Sequence, residues 1–364
     1  MVRDRWYEGA HLHGHQALGD LRLVNGETLA LLAGDAALGA FALEDLRFLD
    51  IEATGLGGAG AMVFLVAVGR WTAEGFLLRQ YLAPSPPAEG PLLRALVADC
   101  RASGGACVLV TYNGATYDGP MLDARGVLHR LRTGFQQMEH VDLLKSVRRG
   151  LGDALRPHRL AHIESTLLGV VRDEDEVAGP DVPGWYFRFL RTGDARMLTP
   201  IVDHNADDVL SLAAMMARLA TVLGETAPAT GFEHLLVGRL YARAQQYEPA
   251  LVHLDKARAA VASTTTRDLV ALQMAAVLKR SGRRSDAVPL WEEVARGQVA
   301  SAVAFIELAK HHEHQLRNFV GALEMVDRAI ARQGTSAALL HRRNRLLRRL
   351  RSGAPSPTPA TTIG

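Results

Sequence analysis

The sequence predicts an α/β domain, built on a mixed sheet with flanking helices, followed by an all-α domain of helical repeats. Three observations carry that prediction. Residues 46–112 alternate strand-like apolar runs with one helix-like segment. Residues 231–350 contain a helical unit that recurs at intervals of 37 and 35 residues. The formal charge is −7 over residues 1–225 and +9 over residues 226–364, which suggests two modules with different tasks.

A chain of 364 residues is long for one domain and comfortable for two, and 48% apolar residues supply real cores. Two cysteines, Cys100 and Cys107, with no CxxC pair predict reduced thiols rather than a disulfide framework. The longest apolar run, "AMVFLVAV", is far too short for a membrane span. The start, "MVRDRWYEGAH", lacks the apolar stretch of a signal peptide. A cytoplasmic protein without membrane contact is the expectation.

Residues 1–45 read as a mobile polar lead-in segment. His11, His13 and His15 in "HLHGH" are ligand types, but no Cys or acid stands at ligand spacing. "LRFLDIE" predicts a strand, "AMVFLVAVGRW" a central strand, and "GFLLRQYLA" a third strand in a meander. "PLLRALVADCRASG" predicts a helix with a glycine stop, and "ACVLVTYNG" a fourth strand. "PMLDARGVLHRLR", "HRLAHIESTLLG" and "TPIVDHNADDVLSLAAMMARLATVLG" carry helical spacing, which closes a domain over residues 46–225. The acidic run Asp173 to Glu176 lies in a Pro/Gly-punctuated loop and reads as solvated surface.

The repeats span residues 231–350. "YEPALVHLDKA", "RSDAVPLWEEVA" and "FVGALEMVDRAI" place Ala250, Ala287 and Ala322 at matching positions, as a tetratricopeptide-type solenoid would. Trp71, Trp185 and Trp291 read as packing residues, and His311, His312 and His314 as a solvated helix face. "HRRNRLLRRLR" closes the solenoid with six arginines, either as a polar cap or as a phosphate grip through residues such as Arg342 and Arg343. Residues 351–364 read as a disordered tail by composition.

Three short motifs carry the chemistry. Asp50 and Glu52 lie two apart on a strand, so their side chains leave the same face. Two like charges there resist ionisation unless a cation joins them, and hard carboxylate oxygens suit Mg²⁺ or Mn²⁺. Asp118 follows a strand and turn in "VTYNGATYDGPML", where an N-cap would also stand. His204 and Asp208 are four apart on a predicted helix and share a face, as a surface pair could too; Asp207 falls roughly on that face as well.

In this order, "FLDIEATGL", "YNGATYDGPML" and "HNADDVLSL" resemble the DEDD superfamily of 3′–5′ exonucleases, which have a ribonuclease H-like fold. With the helical repeats that follow, including "LAKHHEHQLRNFVGALEMVDRAI", the chain is most similar to the YprB-like ribonuclease H-like family over about residues 46–350. The resemblance implies a cluster of Asp50, Glu52, Asp118 and Asp208 that binds two ions, Mg²⁺ or Mn²⁺. It implies hydrolysis of DNA or RNA from a 3′ end, with His204 as the base. Thr54, Gly55 and Leu56 would approach the terminal nucleotide, Asn113 would shape the site, and Asp142 would be a secondary or structural acid. Ala53 departs from the usual Thr, and His204 stands where many relatives of this spacing carry Tyr. Two other readings keep the same sequence features: a ribonuclease H-like endonuclease, or a non-cleaving scaffold whose repeats hold nucleic acid or a protein partner.

Overall fold

The computed structural model describes residues 1–55, 60–101, 106–172, 179–297 and 301–352. It divides into two compact units, Met1–Gln246 and Tyr247–Gly364.

The first unit begins with β1 (Val2–Tyr7), a tight hairpin of β2 (Leu12–His13) and β3 (Gln16–Ala17), and α1 (Gly26–Ala33). The meander follows as β4 (Leu46–Ala53), β5 (Val63–Thr72) and β6 (Gly75–Leu82). Then come α2 (Glu89–Arg101), β7 (Val108–Thr111), α3 (Asp118–Leu128), β8 (Glu139–Asp142) and α4 (Leu143–Gly150). The unit ends with α5 (Leu160–Leu168), α6 (Val182–Thr192), α7 (Thr199–Leu223) and α8 (Gly231–Arg243).

Six strands form one sheet in the order β1-β6-β5-β4-β7-β8. β1, β6, β5 and β4 pair antiparallel, whereas β4, β7 and β8 run parallel. The predicted mixed sheet and its meander are therefore present. Residues 63–69 of β5 are buried without a break, as expected of a strand covered on both faces. Leu49, Ile51 and Ala53 share a core with Leu92, Leu93 and Leu96 of α2 and with Met121 and Leu122 of α3. Apolar nearly all round over Val209–Val222, α7 is buried accordingly. It crosses β4 and β5 at close range. At Gly69 of β5 an added Cβ would stand 2.3 Å from Phe76 and 2.8 Å from Val209 of α7, so only glycine permits the approach.

Two readings need correction, and three elements were not foreseen. Residues 1–45 are not a mobile lead-in. β1 completes the sheet, from Val2 opposite Tyr81 to Tyr7 opposite Phe76. Its pattern was masked by Arg3, Asp4 and Arg5, charges that an edge strand tolerates. The "HLHGH" motif is the β2–β3 hairpin, and His15 N–H donates to the Leu168 carbonyl at 2.8 Å. The boundary also moves: α8 belongs to the first unit, packing on α4 and α7. Thr230 and Glu233 form its capping box, and the buried Glu233 pairs with Arg218 of α7. Lastly, β8, α4 and α6 are too short or too mixed in pattern to announce themselves in the sequence.

The second unit is all helical: α9 (Tyr247–Ala260), α10 (Thr264–Arg280), α11 (Arg284–Arg296), α12 (Ala302–His314), α13 (Phe319–Gln333) and α14 (Ala337–Ser352). Consecutive helices pack on one another. Ala250, Ala287 and Ala322 are each the fourth residue of their helix and each fully buried, so the sequence repeat is in phase with the structural one. Trp291 packs in the core with Arg284 above its ring. Among the described residues no helix is long and apolar enough to cross a membrane. The acidic run 173–176, Leu56 and the tail from residue 353 lie outside the described residues.

Candidate active site

The site gathers at the carboxyl ends of the parallel strands, where open α/β sheets commonly bind ligands. On β4 the apolar residues Leu49 and Ile51 face the core with α2 and α3, so Asp50 and Glu52 leave the opposite face. α7 covers that face. Asn205 on it is fully buried and donates from Nδ2 to Asp50 Oδ2 at 2.7 Å and to the Asp50 carbonyl at 3.3 Å. A register shift between Glu52 and Ala53 precedes the last pair of the ladder, Ala53 with Val63. Beyond it, Thr54 ties the chain to Met62: its N–H donates to the Met62 carbonyl at 2.8 Å, and its Oγ1 accepts from Met62 N–H at 2.9 Å. The Gly55 carbonyl accepts from Tyr117 Oη at 3.0 Å. That bond links the turn after β4 to the start of α3.

Asp118 is the first residue of α3, with Tyr117 at the N-cap position, and its side chain is buried. Room for it comes from Gly114, where a Cβ would lie 2.5 Å from Asp118 Oδ2. Asn113 holds a left-handed backbone (φ 72°), its N–H donates to Asp142 Oδ1 at 2.9 Å, and its Oδ1 accepts from Thr116 Oγ1 at 2.7 Å. It therefore shapes the turn that carries Asp118. Asp142 caps α4 by accepting from Leu144 N–H at 3.1 Å through the same Oδ1.

On α7, His204 and Asp208 share a face, with His204 Nε2 3.7 Å from Asp208 Oδ2. Asp207 is exposed. The charge of Asp208 is the one that acts on Asp50, Glu52 and Asp118. Two further residues reach it. Arg172 donates from Nη2 to Asp208 Oδ1 at 2.6 Å and from Nη1 to His204 Nδ1 at 3.2 Å. Behind it, Glu164 of α5 is fully buried and pairs with the same guanidinium. Glu164 also accepts from Ser211 Oγ, and Ser211 Oγ meets His13 Nε2 at 2.7 Å. The hairpin histidine is thus a docking residue, and burial pushes its pKa down to about 4. A cleft of about 410 Å³ opens beside these groups, lined by His13, Glu164, Arg172, His204, Asp207 and Ser211 among others. A larger cavity of about 640 Å³, lined by Glu27, Arg149 and Arg243, holds none of them.

The electrostatics set the same four acids against one another, and Asp207 beside them is raised too, by partial burial and by Asp203. Asp50 is pushed well above the usual carboxylate range by burial and by the charges of Asp208, Glu52 and Asp118. Glu52 is raised to about 7 by burial, with Asp208 adding and His204 opposing. Asp118 is raised to about 8 by burial, then by Asp142, Glu52 and Asp208. Asp208 is raised by burial, against the pull of His204 and Arg172. Such a set of hard oxygens carrying mutual repulsion fits a hard divalent cation. As they stand, no three His, Cys, Asp or Glu among the described residues converge closely enough to hold one, and Asp208 is turned to Arg172.

Arg342 and Arg343 lie on α14 of the second unit. Arg342 and Arg345 pair with Glu313, which is buried, and Arg343 Nε donates to Asp327 Oδ1 at 2.7 Å. Arg349 stacks over Phe319. These charges bind α14 to α12 and α13. "HHEHQ" is therefore not wholly a solvated face, because Glu313 within it points inward.

Sequence reasoning missed Glu164, Arg172 and Asn205. Asn205 stood inside the quoted "HNADD" and was passed over. Glu164 offered one signal, a lone acid among the apolar residues of α5.

Residues 47–220 match the family model described as the RNase_H superfamily. The chain is 29% identical over 342 residues to the uncharacterized protein YprB of Bacillus subtilis (strain 168), covering 91% of this chain and 80% of that protein. Among solved structures, the family B DNA polymerase of the hyperthermophilic archaeon Pyrobaculum calidifontis aligns with 57% of this chain, at 17% identity and a TM-score of 0.37. The alignment spans 28% of the polymerase chain.

Proposed function

We propose, on the premise that residues 47–220 belong to the RNase_H superfamily, that the protein is a metal-dependent nuclease of the DEDD type, hydrolysing DNA or RNA from the 3′ end. The observation that carries the proposal is that β4, the start of α3 and α7 bring Asp50, Glu52, Asp118 and Asp208 near enough for their charges to oppose one another's ionisation. These four side chains would hold two Mg²⁺ or Mn²⁺ ions. When bound, the ions supply Lewis-acid stabilisation of charge on the phosphate and a more acidic attacking water.

The chain's own residues do the rest. Asn205 fixes the rotamer of Asp50 through the 2.7 Å bond. Tyr117 and Thr54 hold the turn after β4 in place beside the cluster, where Thr54, Gly55 and Leu56 would meet the terminal nucleotide. His204 would accept the proton of the attacking water. Its replacement by Ala should lower the rate by roughly 10²–10⁴-fold, as loss of a general base does, and a full-rate variant would show that the base is elsewhere. The helices of the second unit, read as tetratricopeptide-like repeats, would add contacts to nucleic acid or hold a protein partner. A cytoplasmic setting completes the reading.

The test is incubation of the pure protein with 3′- and 5′-labelled DNA and RNA oligonucleotides in Mn²⁺, Mg²⁺ or chelator. The expected result is a ladder of products shortened from the 3′ end, with metal and not with chelator. Internal cuts would make the protein an endonuclease, and no cleavage of any substrate would sink the nuclease reading.

A further inference from the structure

Arg172 touches two side chains to which the nuclease reading gives chemistry. Its Nη2 donates to Asp208 Oδ1 at 2.6 Å and its Nη1 to His204 Nδ1 at 3.2 Å. A guanidinium stays protonated and cannot accept. The His204 Nδ1 in this contact is therefore the acceptor, and the ring proton lies on Nε2. In that state neither ring nitrogen is open to take a proton from water. Asp208 likewise has one oxygen committed to Arg172.

The other edge of Arg172 is anchored. Nε pairs with Glu164 Oε1 and Nη2 with Glu164 Oε2, the latter at 3.0 Å. Glu164 is fully buried and further fixed by Ser211. A positive charge is thus held from behind by one buried acid and turned toward another.

We propose that Arg172 is a resident counter-ion of the carboxylate cluster, a latch that closes on Asp208 and His204 in the metal-free protein and opens when a divalent ion takes Asp208. The inference rests on the nuclease reading, which assigns Asp208 to the ion. Both cations are drawn to the same carboxylate, and like charges so near one another exclude each other. Opening the latch frees an oxygen of Asp208 and the Nδ1 of His204 together, so metal binding and the readiness of the base are one event. Glu164 draws Arg172 back, setting how easily the latch opens.

Calorimetric titration of the full chain with Mn²⁺ tests this. The double variant Arg172→Gln/Glu164→Gln removes one charge of each sign, so that no Glu164 carboxylate is left buried without its guanidinium. It should bind Mn²⁺ roughly ten-fold tighter than the wild type, because Asp208 no longer has a competitor. Glu164→Gln alone should bind roughly ten-fold weaker, because Arg172 is then left wholly to Asp208. Equal or weaker binding by the double variant overturns the latch, since a merely structural pair would give that result. A metal-free readout keeps the two readings apart. In chelator, Arg172→Gln should lower the melting temperature, and adding Asp208→Asn should recover part of the loss. Should Asp50→Asn bind Mn²⁺ like the wild type, the cluster reading fails. The chelator series then decides the Arg172–Asp208 coupling by itself, and a further loss on adding Asp208→Asn rejects it.

Discussion

Two groups of like charge sit in this chain and are treated in opposite ways. On α14 of the second unit, Arg342 and Arg345 close on the buried Glu313, Arg343 meets Asp327 and Arg349 lies on Phe319. Glu313 is held below the usual carboxylate range by these bonds against its burial. In the first unit Asp50, Glu52 and Asp118 are pushed upward, and burial is reinforced by neighbouring carboxylates, with His204 opposing it only in part at Glu52 and Asn205 at Asp50. A charge answered inside the fold is part of the scaffold. A charge left in conflict is held ready for something from outside. By this measure four of the six arginines, which drew the eye in the sequence, are the weaker functional signal.

The largest expected effect breaks the comparison at its acidic end. Asp50→Asn or Asp208→Asn should reduce hydrolysis to background, and in Asp50→Asn the metal-free melting temperature should hold or rise, because a repulsive charge is gone. Wild-type cleavage by both variants would remove these acids from the site. At the basic end the outcome should reverse. Arg342→Met with Arg345→Met strands a buried Glu313, so urea unfolding should show a loss of about 3 kcal/mol with catalysis little changed. Unaltered stability would mean that Glu313 finds solvent or another donor.

A third difference lies in pH. Glu52 at about 7 and Asp118 at about 8 have folded pKa values above those of the unfolded chain. Between the ordinary carboxylate range and pH 8 the folded state therefore binds more protons than the unfolded one, and stability falls as pH rises. Melting in chelator should decline across that window, and the decline should shrink in Glu52→Gln. A flat profile would show that the acids ionise without strain. The smallest effect concerns phosphate binding. If Arg343 and the exposed Arg348 touch nucleic acid, replacing each with Gln should flatten the log–log salt dependence of binding by about one unit per arginine replaced. An unchanged slope leaves both arginines to the scaffold.

Much of this was legible from the sequence for physical reasons. β4, β5 and β6 were visible because a covered strand is continuously apolar. Ala250, Ala287 and Ala322 were visible because close helix packing repeats a small residue at fixed spacing. The D-x-E pair was visible because strand periodicity puts both acids on one face. β1 was not, since an edge strand admits the charges that signal loop elsewhere. Nor was Arg172, whose meaning depends on α5 and α7 meeting at Glu164 and Asp208, 44 residues apart in the sequence. Glu313 stayed hidden among histidines, because helical phase alone does not say which side a neighbouring arginine will approach.

Gly69 bears on all of this from a distance. No methyl fits between β5 and α7 there, because it would stand within 3 Å of both Phe76 and Val209. Val209 follows Asp208 in the chain. The glycine therefore acts as a machinist's shim: it sets the seating depth of the helix that carries His204 and Asp208 against the strand that carries Asp50 and Glu52. Gauging of this kind leaves no trace in charge or hydrogen bonding, and it makes the reach of the cluster a matter of tolerances in the hydrophobic core.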